Sequence, residues 1–224
     1  MWLQAARLRD MPLLASAILF DLDGVLADST PSVNRAWSAW ARRVGLEPGW
    51  LLPRVHGRRA IDTIRSVRPE LDAESELATL VADETTDNAD VVEIPGARAL
   101  VSALPADRWA IVTSGLRPVA TARLVAAGVP IPRVMVTAES ISRGKPDPDA
   151  YLKGAAELGV APGDCLVVED APAGAAAARA AGMRLLGLAT THRAEELEPA
   201  ELVVPDLTHV TVRVVGDKLE VSRL

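Results

Sequence analysis

The sequence is poor in several residue types, and each shortage narrows the class of protein. Its single cysteine, Cys165, cannot form a disulfide within the chain, which favours a reducing compartment. Lysine and arginine number 24 against 30 acidic residues, so the net charge is −6 and no basic patch predicts nucleic-acid binding. No apolar run reaches the ~20 residues that a membrane span requires. We therefore expect a cytoplasmic protein that binds neither nucleic acid nor membranes.

The amino terminus, "MWLQAARLRDMPLLASA", partly resembles a signal peptide. Its apolar patch is short and is interrupted by Pro12, and cleavage after Ala17 would cut into the first predicted strand. We therefore interpret this segment as a local extension of the fold.

Short continuous runs of valine, isoleucine and leucine recur along the chain, and most are followed by a turn and an alanine-rich stretch. Continuous rather than alternating hydrophobicity is typical of parallel strands that are buried on both faces. Because strands and helices alternate, the pattern predicts an α/β fold with a doubly wound, Rossmann-like parallel sheet. The predicted strands cover residues 17–20, 110–112, 134–136, 166–168 and 185–188, and the predicted helices cover residues 117–127, 149–158 and 173–181.

The first two of these strands are separated by a segment too long for a single crossover. Residues 32–90 contain amphipathic stretches and no clear strand, which predicts a small α-helical domain inserted after the first strand. We place this insert at residues 31–94 and the α/β domain at residues 1–30 and 95–224, with linkers at 24–31 and 93–96. The tail, "VTVRVVGDKLEVSRL", predicts a terminal hairpin about Gly216 and Asp217. No long exposed apolar stripe stands out, so we expect a monomer.

Chemically active residues lie at or after the ends of four predicted strands. In open parallel sheets, ligands bind at the carboxyl ends of the strands, near a topological switch point. Carboxylates crowded there would raise one another's pKa, and a hard divalent cation such as Mg²⁺ would relieve the repulsion. The residues at these positions are Asp21 and Asp23, then Thr113, Ser114 and Gly115, then Lys145, and finally Glu169 and Asp170.

A metal, a lysine and exposed backbone amides together describe a phosphate site. One carboxylate could attack phosphorus to give an aspartyl-phosphate. A second aspartate could protonate the leaving alkoxide and later deprotonate the attacking water. Each motif alone predicts only a turn, a loop or a helix cap, whereas their joint occurrence at successive strand ends favours a catalytic site.

Four motifs resemble those of the haloacid dehalogenase-like hydrolase superfamily: "FDLDGVLADS", "VTSG", "GKPDPDAY" and "VVEDAPAG". The resemblance spans nearly the whole chain, and the insert is similar to the α-helical C1 cap of subfamily I. It implies Asp21 as the nucleophile, Asp23 as the general acid and base, and Thr113, Ser114, Gly115 and Lys145 as residues that bind phosphate or stabilise the nucleophile. It also implies Mg²⁺ held by Asp170, Asp21 and the Asp23 carbonyl, with Glu169 holding a water of the metal. Because dehalogenases and phosphonate-cleaving members lack the second aspartate, Asp23 indicates a phosphate ester as substrate.

The insert contains "RVHGRRAIDTIR", which is similar to the cap of polyol- and sugar-phosphate phosphatases, including glycerol-phosphate and 2-deoxyglucose-6-phosphate phosphatases. The resemblance implies a small phosphorylated sugar or polyol as substrate, bound by His56 and Arg59. Trp37 and Trp40, three residues apart on one predicted helix, favour a place in the core of the cap over a sugar-stacking platform.

The sequence thus predicts a Mg²⁺-dependent phosphatase that works through an aspartyl-phosphate. Two alternatives stay open. A phosphosugar mutase similar to β-phosphoglucomutase would carry the same four motifs, although "HGRRAIDTI" matches the phosphatases better. A catalytically silent binding protein could use the same scaffold, but here every core catalytic position is filled.

Overall fold

The computed structural model of the protein describes residues 12–198 and 200–224. Most of the predicted amino-terminal extension, residues 1–11, lies outside them. Among the described residues, no helix combines the length and the apolar character that crossing a membrane requires.

The centre of the fold is a six-stranded sheet in which all neighbouring strands are parallel. The strands in the described residues are β1 (Leu13–Ala15), β2 (Ala17–Phe20), β3 (Ala27–Asp28), β4 (Val92–Glu93), β5 (Trp109–Val112), β6 (Val134–Val136), β7 (Cys165–Glu169), β8 (Arg184–Leu188), β9 (Leu202–Val204), β10 (Val210–Val215) and β11 (Lys218–Arg223). The central sheet has the order β6-β5-β2-β7-β8-β9. Numbered from β2, this order is 3-2-1-4-5-6, the doubly wound order. The fold class and all five predicted strands are confirmed.

Helices cover both faces of this sheet. The α-helices in the described residues are α1 (Thr30–Arg43), α2 (Pro48–Leu51), α3 (Ala60–Val67), α4 (Ala73–Thr86), α5 (Ala97–Ser102), α6 (Arg117–Ala127), α7 (Asp149–Leu158) and α8 (Pro172–Ala180). Helix α6 packs with Ile18 and Phe20 of β2, whereas α7 and α8 pack on the opposite face with Leu19. This alternation follows from the strand geometry, in which successive side chains point to opposite faces. Helices α6 and α7 have the predicted bounds, and α8 begins and ends one residue before its prediction.

Helices α1 to α4 lie between β3 and β4, within the segment predicted as the insert, and they share an apolar core of their own. Trp37 and Trp40 lie in this core, only 4% and 3% exposed, with ring centroids 5.5 Å apart in an edge-to-face arrangement. Trp40 also donates from Nε1 to Glu76 of α4 at 2.8 Å. The two tryptophans are therefore core residues, as their spacing on one helix predicts.

A two-stranded ribbon, which was not predicted from the sequence, joins the insert to the sheet. Strands β3 and β4 pair antiparallel, with Ala27 opposite Glu93 and Asp28 opposite Val92. The two predicted linkers therefore run side by side. Because the pair has only two residues a strand, its backbone pairing holds the linkers together with few hydrogen bonds.

The carboxyl-terminal hairpin of β10 and β11 is confirmed, and it belongs to a second, antiparallel sheet of order β1-β11-β10. Strand β1 was not predicted from the sequence. Its Leu13 and Ala15 face inward while Leu14 is 50% exposed, and Leu13 pairs with Val221 of β11. Three residues are too few to show an alternating hydrophobic pattern in the sequence. Strand β1 forms because it can pair with β11.

Candidate active site

The carboxyl ends of β2, β5 and β7 meet at one edge of the parallel sheet. Phe20 of β2 lies opposite Ile111 of β5 on one side and Val168 of β7 on the other. The strand order reverses at β2, so this end is the topological switch point where ligands bind in such sheets. The polar residues brought together here are Asp21, Thr113, Glu169 and Asp170.

Lys145 is buried at the centre of these residues. Its Nζ donates to Asp21 Oδ1 at 2.5 Å, to Glu169 Oε1 at 2.7 Å and to the carbonyl of Val112 at 3.1 Å. Although burial opposes its charge, the two carboxylates hold the pKa of Lys145 above its ordinary value. The ammonium group therefore stays charged and fixes the Asp21 side chain. Lys153, which follows in the sequence, pairs instead with Glu157 on the surface of α7.

The Glu169 carboxylate is surrounded by hydrogen-bond donors. Oε1 accepts from Lys145 and from the hydroxyl of Tyr151 at 2.9 Å, and Oε2 accepts from the amides of Asp170 and Ala171 at 2.9 and 3.0 Å. These contacts hold Glu169 against Lys145. Sequence reasoning missed Tyr151, whose position within "GKPDPDAY" gives no indication that its hydroxyl reaches another strand.

Carboxylate oxygens of Asp21, Glu169 and Asp170 lie within 4.8 Å of one another and could hold a metal ion. Burial raises the pKa of Asp21 to about 7 against the attraction of Lys145. Burial, together with the charges of Glu169 and Asp21, also raises the pKa of Asp170 well above its usual range. A bound cation would remove this repulsion. Because every donor is a hard oxygen, the cluster fits a hard divalent cation.

The loop after β8 supports this cluster and was missed from the sequence. The Thr191 hydroxyl donates to the Asp170 carboxylate, and the Thr190 hydroxyl donates to the carbonyl of Gly24 at 2.6 Å. His192, in the same loop, has its Nδ1 3.1 Å from the Asp170 carbonyl oxygen. His209 pairs with Asp206 at 3.0 Å, away from these residues.

The Asp23 carboxylate is not part of the cluster of Asp21, Glu169 and Asp170. Its Oδ1 accepts from the Ser29 hydroxyl at 2.5 Å and from Arg123 Nη1 at 2.8 Å. Arg123 lies on α6 and also pairs with Glu84 of α4, at 3.2 Å. The side chain of Asp23 is thus oriented separately from that of Asp21. Arg123 and Glu84 were missed because they are distant in sequence and lie in no recognisable motif.

Two hydrogen bonds hold the loop after β5, one within the loop and one to the insert. The amide of Gly115 donates to Thr113 Oγ1 at 3.0 Å. The hydroxyl of Ser114 donates to the carbonyl of Gly57 in the insert, also at 3.0 Å. The insert therefore contacts the loop that the sequence assigned to phosphate.

The two predicted substrate residues of the insert take different positions. His56 lines a cavity together with Asp21 and Asp23, and burial lowers its pKa, so its imidazole is neutral near pH 7. Arg59 donates to the two carboxylate oxygens of Asp62 at 2.7 and 2.9 Å, and to the carbonyl of Ile141 at 3.1 Å. The structure brings His56 to the cavity and holds Arg59 at the contact between insert and sheet domain.

The cavity itself is small, about 60 Å³, and lies between the sheet edge and the insert. A space of this size holds about two water molecules. The polar side chains around the cavity are Asp21, Asp23, His56, Glu84, Ser114 and Arg123.

The motifs and their geometry match a known family. A family model described as haloacid dehalogenase-like hydrolase covers residues 15–182 of the chain. The protein is a haloacid dehalogenase-like hydrolase. The resemblance read from the sequence is confirmed.

Several relatives of this haloacid dehalogenase-like hydrolase have assigned activities. Hexitol phosphatase A of Escherichia coli strain K12 is 48% identical over 199 residues, which cover 87% of this chain and 92% of that protein. Glycerol-1-phosphate phosphohydrolase 2 of Saccharomyces cerevisiae is 31% identical, covering 96% of this chain and 91% of that protein. A solved hydrolase structure from Pseudomonas syringae has a TM-score of 0.77 and 30% identity, covering 85% of this chain and 94% of that one. The similarity therefore extends over both the sheet domain and the insert.

Proposed function

We propose that this hydrolase is a Mg²⁺-dependent phosphatase that cleaves a small sugar or polyol phosphate through an aspartyl-phosphate on Asp21. The observation that carries the proposal is that two aspartates line one cavity and are held by different partners. Asp21 is fixed by Lys145 within the metal-binding cluster, and Asp23 is fixed separately by Ser29 and Arg123. The likeness to hexitol and glycerol-phosphate phosphatases supports the substrate class.

Two successive displacements at phosphorus account for the reaction. An oxygen of Asp21 attacks phosphorus and forms an acyl phosphate while the bond to the leaving alcohol breaks. Asp23, in its protonated form, donates its proton to the leaving oxygen. Asp23 then accepts a proton from a water molecule that attacks the same phosphorus. The Asp21–phosphorus bond breaks, releasing inorganic phosphate and the free carboxylate.

The remaining residues orient and stabilise these groups. Lys145, held by Glu169, keeps Asp21 in place and adds positive charge beside the phosphoryl group. We assign phosphate binding to Thr113, Ser114 and Gly115, whose hydroxyls and amides lie at the end of β5. Mg²⁺ bound by Asp21, Asp170 and the Asp23 carbonyl, with Glu169 beside it, would neutralise charge on the phosphoryl oxygens.

The insert would act as a cap over the substrate. We place it at residues 31–94, between the α/β segments 1–30 and 95–224, with the β3–β4 ribbon as the hinge. Opening would break the contact between Ser114 and Gly57, and closure would exclude bulk water during transfer.

His56 would bind the substrate from the position it occupies here. Arg59 would do so only after leaving Asp62. We further infer a monomer acting in the cytoplasm.

Phosphate release with Mg²⁺ and with EDTA tests the proposal. The panel consists of a hexitol 6-phosphate, glycerol 3-phosphate, 2-deoxyglucose 6-phosphate, phosphoglycolate and β-glucose 1-phosphate. We expect a polyol or sugar phosphate to be hydrolysed fastest and EDTA to stop the reaction. Conversion of β-glucose 1-phosphate to glucose 6-phosphate without free phosphate would show a mutase instead.

The Asp21→Asn variant tests the nucleophile. We expect kcat to fall by more than about 1000-fold, because an amide cannot form the acyl phosphate. The circular dichroism spectrum should stay unchanged, since asparagine has the same size. Substantial phosphate release by a pure, folded variant would contradict the assignment of Asp21.

A further inference from the structure

Two oppositely charged side chains that no sequence motif contains meet beside the catalytic aspartates. Arg123 comes from α6 of the sheet domain and Glu84 from α4 of the insert, and they are only 4% and 8% exposed. Arg123 Nη2 lies 3.2 Å from Glu84 Oε1. Both residues line the cavity that contains Asp21 and Asp23. They therefore lie where the part of the substrate beyond the phosphate would be.

The hydrogen-bonding capacity of Arg123 is only partly used. Nη1 donates to Asp23 Oδ1 at 2.8 Å, whereas Nε and Nη2 have no hydrogen-bond partner among residues 12–198 and 200–224. The contact of Nη2 with Glu84 is an ion pair without hydrogen-bond geometry. Buried donors in proteins are nearly always paired, with protein, water or ligand. Arg123 thus keeps two buried donors, Nε and Nη2, for an oxygen that comes within their reach when substrate binds.

The charge around Arg123 indicates what kind of oxygen this is. The guanidinium group lies between the carboxylates of Asp23 and Glu84, so its single positive charge is already compensated. A carboxylate on the substrate would be repelled by Glu84. A hydroxyl group is neutral, and it can accept from Arg123 and donate to Glu84 at the same time.

Apolar residues complete this part of the cavity. Val33, Trp37 and Val55 of the insert lie around it, and all three are buried. They suit the C–H groups of a carbon chain, while Arg123 and Glu84 suit its hydroxyl groups. This division is typical of ligand sites, in which a few polar groups among apolar ones give specificity.

We propose that Arg123 and Glu84 form a hydroxyl-binding subsite and determine specificity for neutral polyol phosphates. The inference rests on the proposed phosphatase function and adds to it the recognition of the leaving alcohol. It predicts poor turnover of phosphoglycolate, which has a carboxylate at this position. It also predicts poor turnover of alkyl phosphates, which offer no hydroxyl group to these two residues.

Kinetics of the Glu84→Gln variant test the subsite. D-sorbitol 6-phosphate and n-hexyl phosphate are matched in carbon number and differ in their hydroxyl groups. For the variant, we expect kcat/KM on sorbitol 6-phosphate to fall about 10- to 100-fold, mainly through KM, because a charge-assisted hydrogen bond is lost. For the same variant, kcat/KM on hexyl phosphate should change less than about twofold. The control is Asp83→Asn, which also removes one negative charge but at an exposed position of α4 next to Glu84. This variant should change kcat/KM on neither ester.

An equal loss on both esters would overturn the subsite, because it would mean that Glu84 acts on Asp23 or on folding. Calorimetry separates this from failure of the phosphatase proposal. Sorbitol 6-phosphate is titrated with Mg²⁺ into Asp21→Asn and into Asp21→Asn/Glu84→Gln. We expect the second protein to bind at least about 10-fold more weakly. Equal affinities, or no binding to either protein, would contradict the subsite. A Glu84-dependent affinity without wild-type turnover of any ester would support the subsite and contradict the phosphatase.

Discussion

At the scale of single residues, a glycine allows a helix to pack directly against a carboxylate of the candidate active site. Helix α8 passes Glu169 at Gly174, where a Cβ atom would overlap the Glu169 carboxylate. The absence of a side chain at this position therefore lets Glu169 reach Lys145 and Tyr151. Gly174 carries no functional group, but the Glu169 carboxylate can take its position only because Gly174 has no side chain.

We predict that Gly174→Ala destabilises the protein by about 1–3 kcal/mol and lowers kcat. Alanine has the better helix propensity, by about 1 kcal/mol. The overlap with Glu169 outweighs this gain, because a buried carboxylate with four partners cannot move without breaking hydrogen bonds. Urea denaturation and phosphate release would measure both effects.

Gly49→Ala is the matched control. Gly49 also lies in a helix, and a Cβ there would meet nothing within 4 Å. This variant should be neutral or slightly more stable than the wild type. If Gly174→Ala behaved like Gly49→Ala, the close packing of α8 on Glu169 would be disproved.

Cys165 is a residue-scale case in which burial removes reactivity. The side chain is 0% exposed in β7, and burial, with a smaller effect from Asp164, raises the pKa of its thiol to about 11. At pH 8 only about one thiol in a thousand would be ionised, and the thiolate is the reactive form. We expect Ellman's reagent at pH 8 to leave the native protein unmodified over an hour. One thiol per chain should react in denaturant, and rapid reaction of the native protein would show that the strand opens.

At the scale of elements, one turn connects the insert to the sheet edge beside the cavity. The turn at His56 and Gly57 lies against two loops of the sheet domain. Gly57 has a positive φ of 72°, its carbonyl accepts from Ser114, and a Cβ on it would lie 3.1 Å from Ala171 Cβ. The turn thus needs glycine both for its backbone conformation and for its close approach.

We predict that Gly57→Ala raises KM at least threefold, because the added methyl group keeps the insert from closing. Gly159→Ala separates packing from backbone strain. Gly159 has nearly the same φ, 71°, at the end of α7, but a Cβ there would meet nothing within 4 Å. Both variants should lose about 1–2 kcal/mol of stability from the left-handed conformation. Only Gly57→Ala should change KM, and an equal KM for both would disprove a role of this turn in closure.

At the scale of the whole molecule, folding brings three carboxylates into one buried cluster, and a cation should therefore stabilise the folded state. Binding at 100 times the dissociation constant adds about 2.7 kcal/mol. For a chain of this size, this corresponds to a rise in Tm of about 5–10 °C. We expect millimolar Mg²⁺ to raise Tm and EDTA to reverse the effect.

The variant Asp170→Asn tests whether the cluster is responsible. It removes one buried charge whose pKa burial raises, so the metal-free protein should be at least as stable as the wild type. The Mg²⁺-dependent rise in Tm should largely disappear. An undiminished rise in this variant would place the stabilising cation elsewhere on the protein.

The sequence by itself determined five of the six strands of the parallel sheet and the list of residues at its edge, but it did not predict β9. Continuous apolar runs such as residues 166–168 predict parallel strands, because a strand covered by helices on both faces needs apolar side chains on both. The residues after those strands must then converge, since parallel strands end at one edge. Asp21, Thr113 and Asp170 were therefore predictable without coordinates.

Tertiary structure alone decided the contacts made between distant elements. Strand β1 forms because β11 lies beside it, and Arg123 and Glu84 reach the site from helices that carry no motif for it. Tyr151 belongs to a motif, but only the packing of α7 brings its hydroxyl to Glu169. Arg59 turned to Asp62 and Ile141 rather than to the cavity, although its motif is in place. Local patterns reflect what each segment must bury. The partner of a buried charge, in contrast, depends on which helices the folded chain packs together.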